Sequence, residues 1–105
     1  MRLKKNQEIL LKKYRLFIEG KNFDIKNEGK VIRTGFFTNR YIEATDHSSA
    51  ESIALDLIRK ELKGLILNDE SNPPLMFIKE NEELTSFEDN LVPGTGFSWF
   101  EDADK

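Results

Sequence analysis

Residues 34–64, TGFFTNRYIEATDHSSAESIALDLIRKELKG, contain one sharp change of hydrophobic period, and that change constrains the fold more than any other feature of the chain. Through Ala44 the run is aromatic and β-branched, which suits a strand. Beyond it, Ala50, Ile53, Ala54, Leu57, Ile58 and Leu62 recur at the spacing of one buried helix face. Asp46, His47, Ser48 and Ser49 lie at the junction. Ser48 followed by Glu51 has the spacing of a capping box, which predicts Ser48 as the N-cap. Lys60 and Lys63 favour the negative end of the helix dipole, and Gly64 fits the position just past the last turn. A strand that runs into a capped helix calls for a small α+β domain with one principal helix laid on a sheet.

The flanking segments supply the remaining strands. Residues 14–19 alternate Tyr14, Leu16, Ile18 against Arg15, Phe17, Glu19, a period of two. Gly20 marks a bulge or bend, and residues 23–25 continue the strand. Asn27-Glu28-Gly29-Lys30 is a tight-turn sequence, and residues 31–44 return as a second strand with a bulge or bend at Gly35. After the helix, Leu65 to Leu67 should pack the exit onto the core. Asn68 to Pro74 reads as a polar loop, and residues 75–79 as a third strand. Residues 81–90 are acidic and anchored by Leu84 and Phe87. Pro93-Gly94-Thr95-Gly96 is a turn before a fourth strand at 97–100. The expected order is ββαββ, an antiparallel four-stranded sheet with the helix on one face. Residues 1–13 form a lead-in or short helix, and 101–105 a loose acidic tail.

At 105 residues the chain is long enough for one domain, and eight Phe favour a packed core over disorder. Cysteine is absent, which removes disulfides, thiolate metal sites and cysteine nucleophiles and suits a reducing cytoplasm. No stretch has the length of a signal-peptide core or a membrane span. The net charge of -3 conceals an asymmetry: residues 1–40 carry 11 Lys and Arg against 4 Asp and Glu, whereas 41–105 carry 5 against 15. Such a division marks either a basic surface for an anionic partner or two halves that neutralise each other.

The combination of GFFTNRYIEA, SSAESIALDLIRKEL, NPPL and the late PGTGFSWF resembles a family of small uncharacterised bacterial proteins, over roughly residues 14–100. That resemblance implies no activity, ligand or catalytic residue. The hairpin leading into the helix is also similar to antitoxins of the HicB type, through a strand entering an Ala-rich helix.

The chemistry-bearing candidates are few. Asp46-His47-Ser48 spells a triad in sequence, but neighbouring side chains diverge and triads are assembled in space. A single His without Cys makes a closed zinc site a poor fit. Gly94-Thr95-Gly96 precedes a strand, whereas phosphate-cradling loops open a helix. The carboxylates Glu80, Glu82, Glu83, Glu88 and Asp89 lack the alternating pattern of a calcium loop. Arg33, Phe36, Phe37, Arg40 and Tyr41 set cations among aromatics, a combination that binds single-stranded nucleic acid. Thr34 before the glycine and Thr38 two residues after Phe36 depart from the RNA-recognition strand motif, and the sequence pI of about 5.2 opposes general nucleic-acid binding. The expectation is therefore a non-catalytic, cytoplasmic interaction or regulatory protein without cofactor, catalytic or metal residues. It would contact a protein partner through Arg33, Phe36, Phe37, Arg40, Tyr41 and Trp99. Single-stranded nucleic-acid binding through the basic, aromatic half is the alternative. The aromatic last strand, with Phe97 and Trp99 on one face and Phe100 on the other, also suggests a weak homodimer.

Overall fold

The computed structural model describes residues 10–101. Most of the expected lead-in and acidic tail therefore lies outside the described residues, although Lys12 and Lys13 already belong to the first strand. The chain runs β1 (Lys12–Asn27), β2 (Lys30–Ala44), α1 (His47–Leu62), β3 (Leu75–Leu84) and β4 (Ser98–Glu101). The strands form one antiparallel sheet in the order β3-β1-β2-β4, so the fold is α+β with ββαββ order.

The β1–β2 hairpin is the frame of the molecule. Its turn has positive φ at both central positions, 55° at Glu28 and 82° at Gly29, the pairing whose twist matches two antiparallel strands. The register shifts between Gly20 and Phe23, as the sequence predicts, and Asn22 takes the positive φ of 64°. Gly35 lies within that shift, between Thr34, which pairs with Phe23, and Phe36, which pairs with Gly20, so the irregularity expected at Gly35 is present. Its lack of a side chain also makes room for Phe100, its partner on β4, whose ring a Cβ there would collide with. Gly20 and its partner Phe36 repeat this arrangement on the other face.

One face of the hairpin is covered by α1. Tyr14, Leu16, Ile18, Phe23, Phe36, Ile42 and Ala44 meet Ala50, Ala54, Ile58 and Leu62 in a single core. Two alanines on the helix side leave room for the larger side chains of the strands. Ile53, expected in the core, is exposed, because the buried face follows a strict four-residue step from Ala50 to Leu62.

The helix starts two residues before the sequence reading places it. Asp46 is the N-cap, extended at φ -159°, and its carboxylate accepts from the Ser49 amide at 2.8 Å. Ser48 is already helical, and Glu51 closes no capping box; its carboxylate accepts instead from Asn81 of β3 at 2.9 Å. Gly64 has the expected positive φ, 89°. Beyond it Ile66 bridges to Ile25, while Leu65 and Leu67 stay exposed and do not pack onto the core as expected. β3 runs on to Leu84, five residues past the expected end, because Glu80 and Glu82 find a cation on β1. No helix among the described residues is long and apolar enough to cross a membrane.

Candidate partner-binding face

Period two divides the six candidate residues between the two sides of the sheet. Phe36, Arg40 and Trp99 point to the helix side; Arg33, Phe37 and Tyr41 point to the side that no helix among the described residues covers.

Arg40 is fully buried, with a relative exposure of 0%. Its guanidinium grips both oxygens of Glu61 at 2.7 and 2.9 Å, donates to the Thr38 hydroxyl at 3.0 Å and to the Gly96 carbonyl at 3.2 Å. It also stands 5.1 Å from the centre of the Phe97 ring. Arg40 thus ties the last turn of α1 and the loop before β4 to β2. Phe36 is likewise fully buried and carries Phe97 and Trp99 edge-on, at 4.8 and 5.4 Å. Trp99 is 42% exposed and lines a cleft of about 260 Å³ with Ile25, Ile32 and Thr34.

The uncovered side carries a row of rings across three adjacent strands. Phe17 of β1 stacks on Phe37 of β2, with centroids 5.4 Å apart and planes within 9°. Phe37 in turn meets Phe100 of β4 at 5.2 Å. All three are half-buried, with no helix among the described residues over them. Toward the other end of the sheet Tyr41 meets Phe87 edge-on at 6.2 Å, and the Lys13 ammonium stands 5.8 Å from the Phe87 ring. A notch of about 320 Å³ opens beside the row where the loop before β4 leaves β2, between Phe17 and Phe37 on one side and Thr95 to Ser98 on the other. Asn39 adds an amide to its wall. The loop is held there by a bond from the Tyr41 amide to the Pro93 carbonyl at 2.9 Å and from the Thr38 hydroxyl to the Gly96 carbonyl at 2.8 Å.

Charges on this side are paired across strands. Arg15 donates to Glu80, to Glu82 at 3.2 Å and to Asn39 at 2.8 Å, and the bond to Glu80 raises its pKa above the ordinary arginine value. Arg33 meets Asp24 at 3.0 Å, and Lys79 meets Glu19 at 3.6 Å. The face is therefore an apolar aromatic strip between neutralised charges, a surface suited to contact with another apolar surface.

Asp46, His47 and Ser48 do not converge. The Asp46 carboxylate is occupied by Ser49, whose amide hydrogen bond lowers the Asp46 pKa, and His47 shares a 2.9 Å hydrogen bond with Asn81. Gly94 and Gly96, at φ 89° and 91°, lead into β4 rather than into a helix. Among the described residues no group of three or more His, Asp or Glu could hold a metal ion. The residues of this face that sequence reading overlooked are Phe17, Phe87, Arg15 and Asn39, whereas Phe100 entered it through the expected homodimer. Alternation could have found Phe17, since it opposes the core residues Leu16 and Ile18.

No family model, curated protein or solved structure matches the chain.

Proposed function

We propose that the chain is a non-catalytic, cytoplasmic interaction protein, regulatory in role, which engages a protein partner through the uncovered face of its sheet. The observation that carries this is the Phe17–Phe37–Phe100 row, three rings on three adjacent strands that no element among the described residues covers. Large aromatics at the centre of a patch, with paired charges at its rim, match the anatomy of protein interfaces. A weak homodimer would use the same face, each copy covering the other's row. The absence of cysteine fits a reducing compartment.

Affinity capture from extract of the source cell, followed by mass spectrometry of protein and nucleic acid, tests this. A protein retained in near-equal amount supports the proposal, and recovery of neither a partner nor a second copy contradicts it. The row itself favours a second reading, since a stacked aromatic strip on an open sheet is also a platform for bases. That reading lacks its expected phosphate contact at Arg40, which is buried against Glu61. It requires salt-dependent binding of single-stranded oligonucleotides, and none is expected at physiological salt.

A further inference from the structure

We propose that the outer edge of β3 binds an extended segment of a partner protein, apolar at one end and basic at the other, as an added strand. β3 is ten residues long and pairs with β1 on one flank only. Among the described residues nothing pairs with the backbone groups of the other flank. A free edge of that length is a template for main-chain hydrogen bonds from another strand. This edge is a different surface from the aromatic face and has its own test.

The composition of the edge selects the occupant. Its first half, Leu75 to Ile78, is apolar, and Leu75 and Phe77 are 48% and 41% exposed. Beside this half, on the helix side, a cleft of about 360 Å³ lies between Phe23, Leu55, Leu62, Ile66, Pro74 and Met76. An added strand would present every second side chain toward that cleft. Its second half is acidic: Glu80, Glu82 and Glu83 follow Lys79, and Glu88 and Asp89 lie just beyond. Between residues 68 and 90 there are seven carboxylates and one lysine. Arg15 meets both Glu80 and Glu82, and Lys79 turns to Glu19, so the edge keeps an excess of negative charge; Glu83 forms no ion pair among the described residues.

A second copy is the poorer occupant of this edge. Two-fold pairing of β3 with itself, centred on the strand, brings Lys79 opposite Glu80 but sets Phe77 opposite Glu82 and Met76 opposite Glu83. Centred nearer the acidic end, it sets carboxylate against carboxylate, which destabilises a strand pair. The same charges therefore reject self-pairing and attract a basic strand.

The probe is a ten-residue peptide, matched to the ten residues of β3, with Val and Thr alternating in one half and Lys and Thr in the other. It is titrated into the isotope-labelled full chain and followed by nuclear magnetic resonance. Binding should shift resonances over residues 75–84 and slow exchange of the outward amides of β3. Methylating the amides along one flank of the peptide should weaken binding about tenfold or more, through loss of several backbone hydrogen bonds. Glu83→Lys should weaken it several-fold, most at low salt, with the fold intact by circular dichroism. Shifts centred on Phe17, Phe37 and Phe100 would overturn the proposal. So would equal affinity of the methylated peptide, or no binding at millimolar peptide.

Discussion

Single residues show where local chemistry outweighed sequence pattern. Ser48 and Glu51 have the spacing of a capping box, yet Asp46 is the cap, because its carboxylate reaches the Ser49 amide from an extended backbone. Asp46→Ala should therefore lower the urea midpoint clearly, and Ser48→Ala should hardly change it; the reverse order would reject this helix start. The lowered Asp46 pKa has a defined sign. A carboxylate with a depressed folded pKa stabilises fully above the ordinary aspartate value of about 3.9 and loses that contribution as pH falls through the lower folded value. Asp46→Asn retains a good cap and should flatten the acid limb of the stability profile below about pH 4, measured as urea midpoint against pH. Arg40 differs in kind from Asp46, since its charge is wholly enclosed. Glu61 is 32% exposed and can turn to water, but Arg40→Ala leaves a cavity and takes a donor from the Gly96 carbonyl, so it should cost about 2–4 kcal/mol. Lysine cannot reproduce the two-pronged grip on Glu61, and Arg40→Lys should recover less than half of that loss in chemical denaturation.

Elements were legible where one period dominates several residues. The hairpin, its turn, the bulge after Gly20 and the helix follow from alternation, from Gly29 and from the four-residue recurrence of Ala50 to Leu62. β3 was cut short, because Lys79-Glu80-Asn81-Glu82-Glu83 reads as a solvated loop until the Arg15 opposite it is known. The loop at 68–74 conceals a similar long-range feature. Asn68 accepts from the Asp24 amide at 2.9 Å and donates to the carbonyls of Asn22 and Asn72 at 2.9 and 2.8 Å. Asn22 donates in turn to Asn72 and Pro73, so this loop is fastened to the bulge of β1. Asparagine in a loop gives no hint of such a role, since turn chemistry explains it equally well. Asn68→Ala removes three hydrogen bonds and should cost about 2–4 kcal/mol in urea, whereas Ser71→Ala, confined to a local turn with Asp69, should cost far less.

At the scale of the molecule, the candidate site was half legible. The sequence places Arg33, Phe36, Phe37, Arg40 and Tyr41 on one strand, and alternation then divides them, leaving only Arg33, Phe37 and Tyr41 on the open side. The partners that turn Phe37 into a surface, Phe17 and Phe100, come from strands whose order no local pattern reveals. A weak homodimer through this face predicts a concentration-dependent mass in sedimentation over a hundredfold range, abolished by Phe37→Ser; a constant monomer mass would remove the second copy as an occupant. The central claim is that one side of the sheet builds the fold and the other binds. Its most direct measurement pairs the neighbouring residues Phe36 and Phe37, each changed to Ser, with denaturation and partner capture read on both. Phe36→Ser opens the core and should cost about 3–5 kcal/mol. Phe37→Ser should keep a cooperative fold and lose the partner. A Phe37→Ser protein that folds and still captures the partner as well as the unaltered chain would contradict the account.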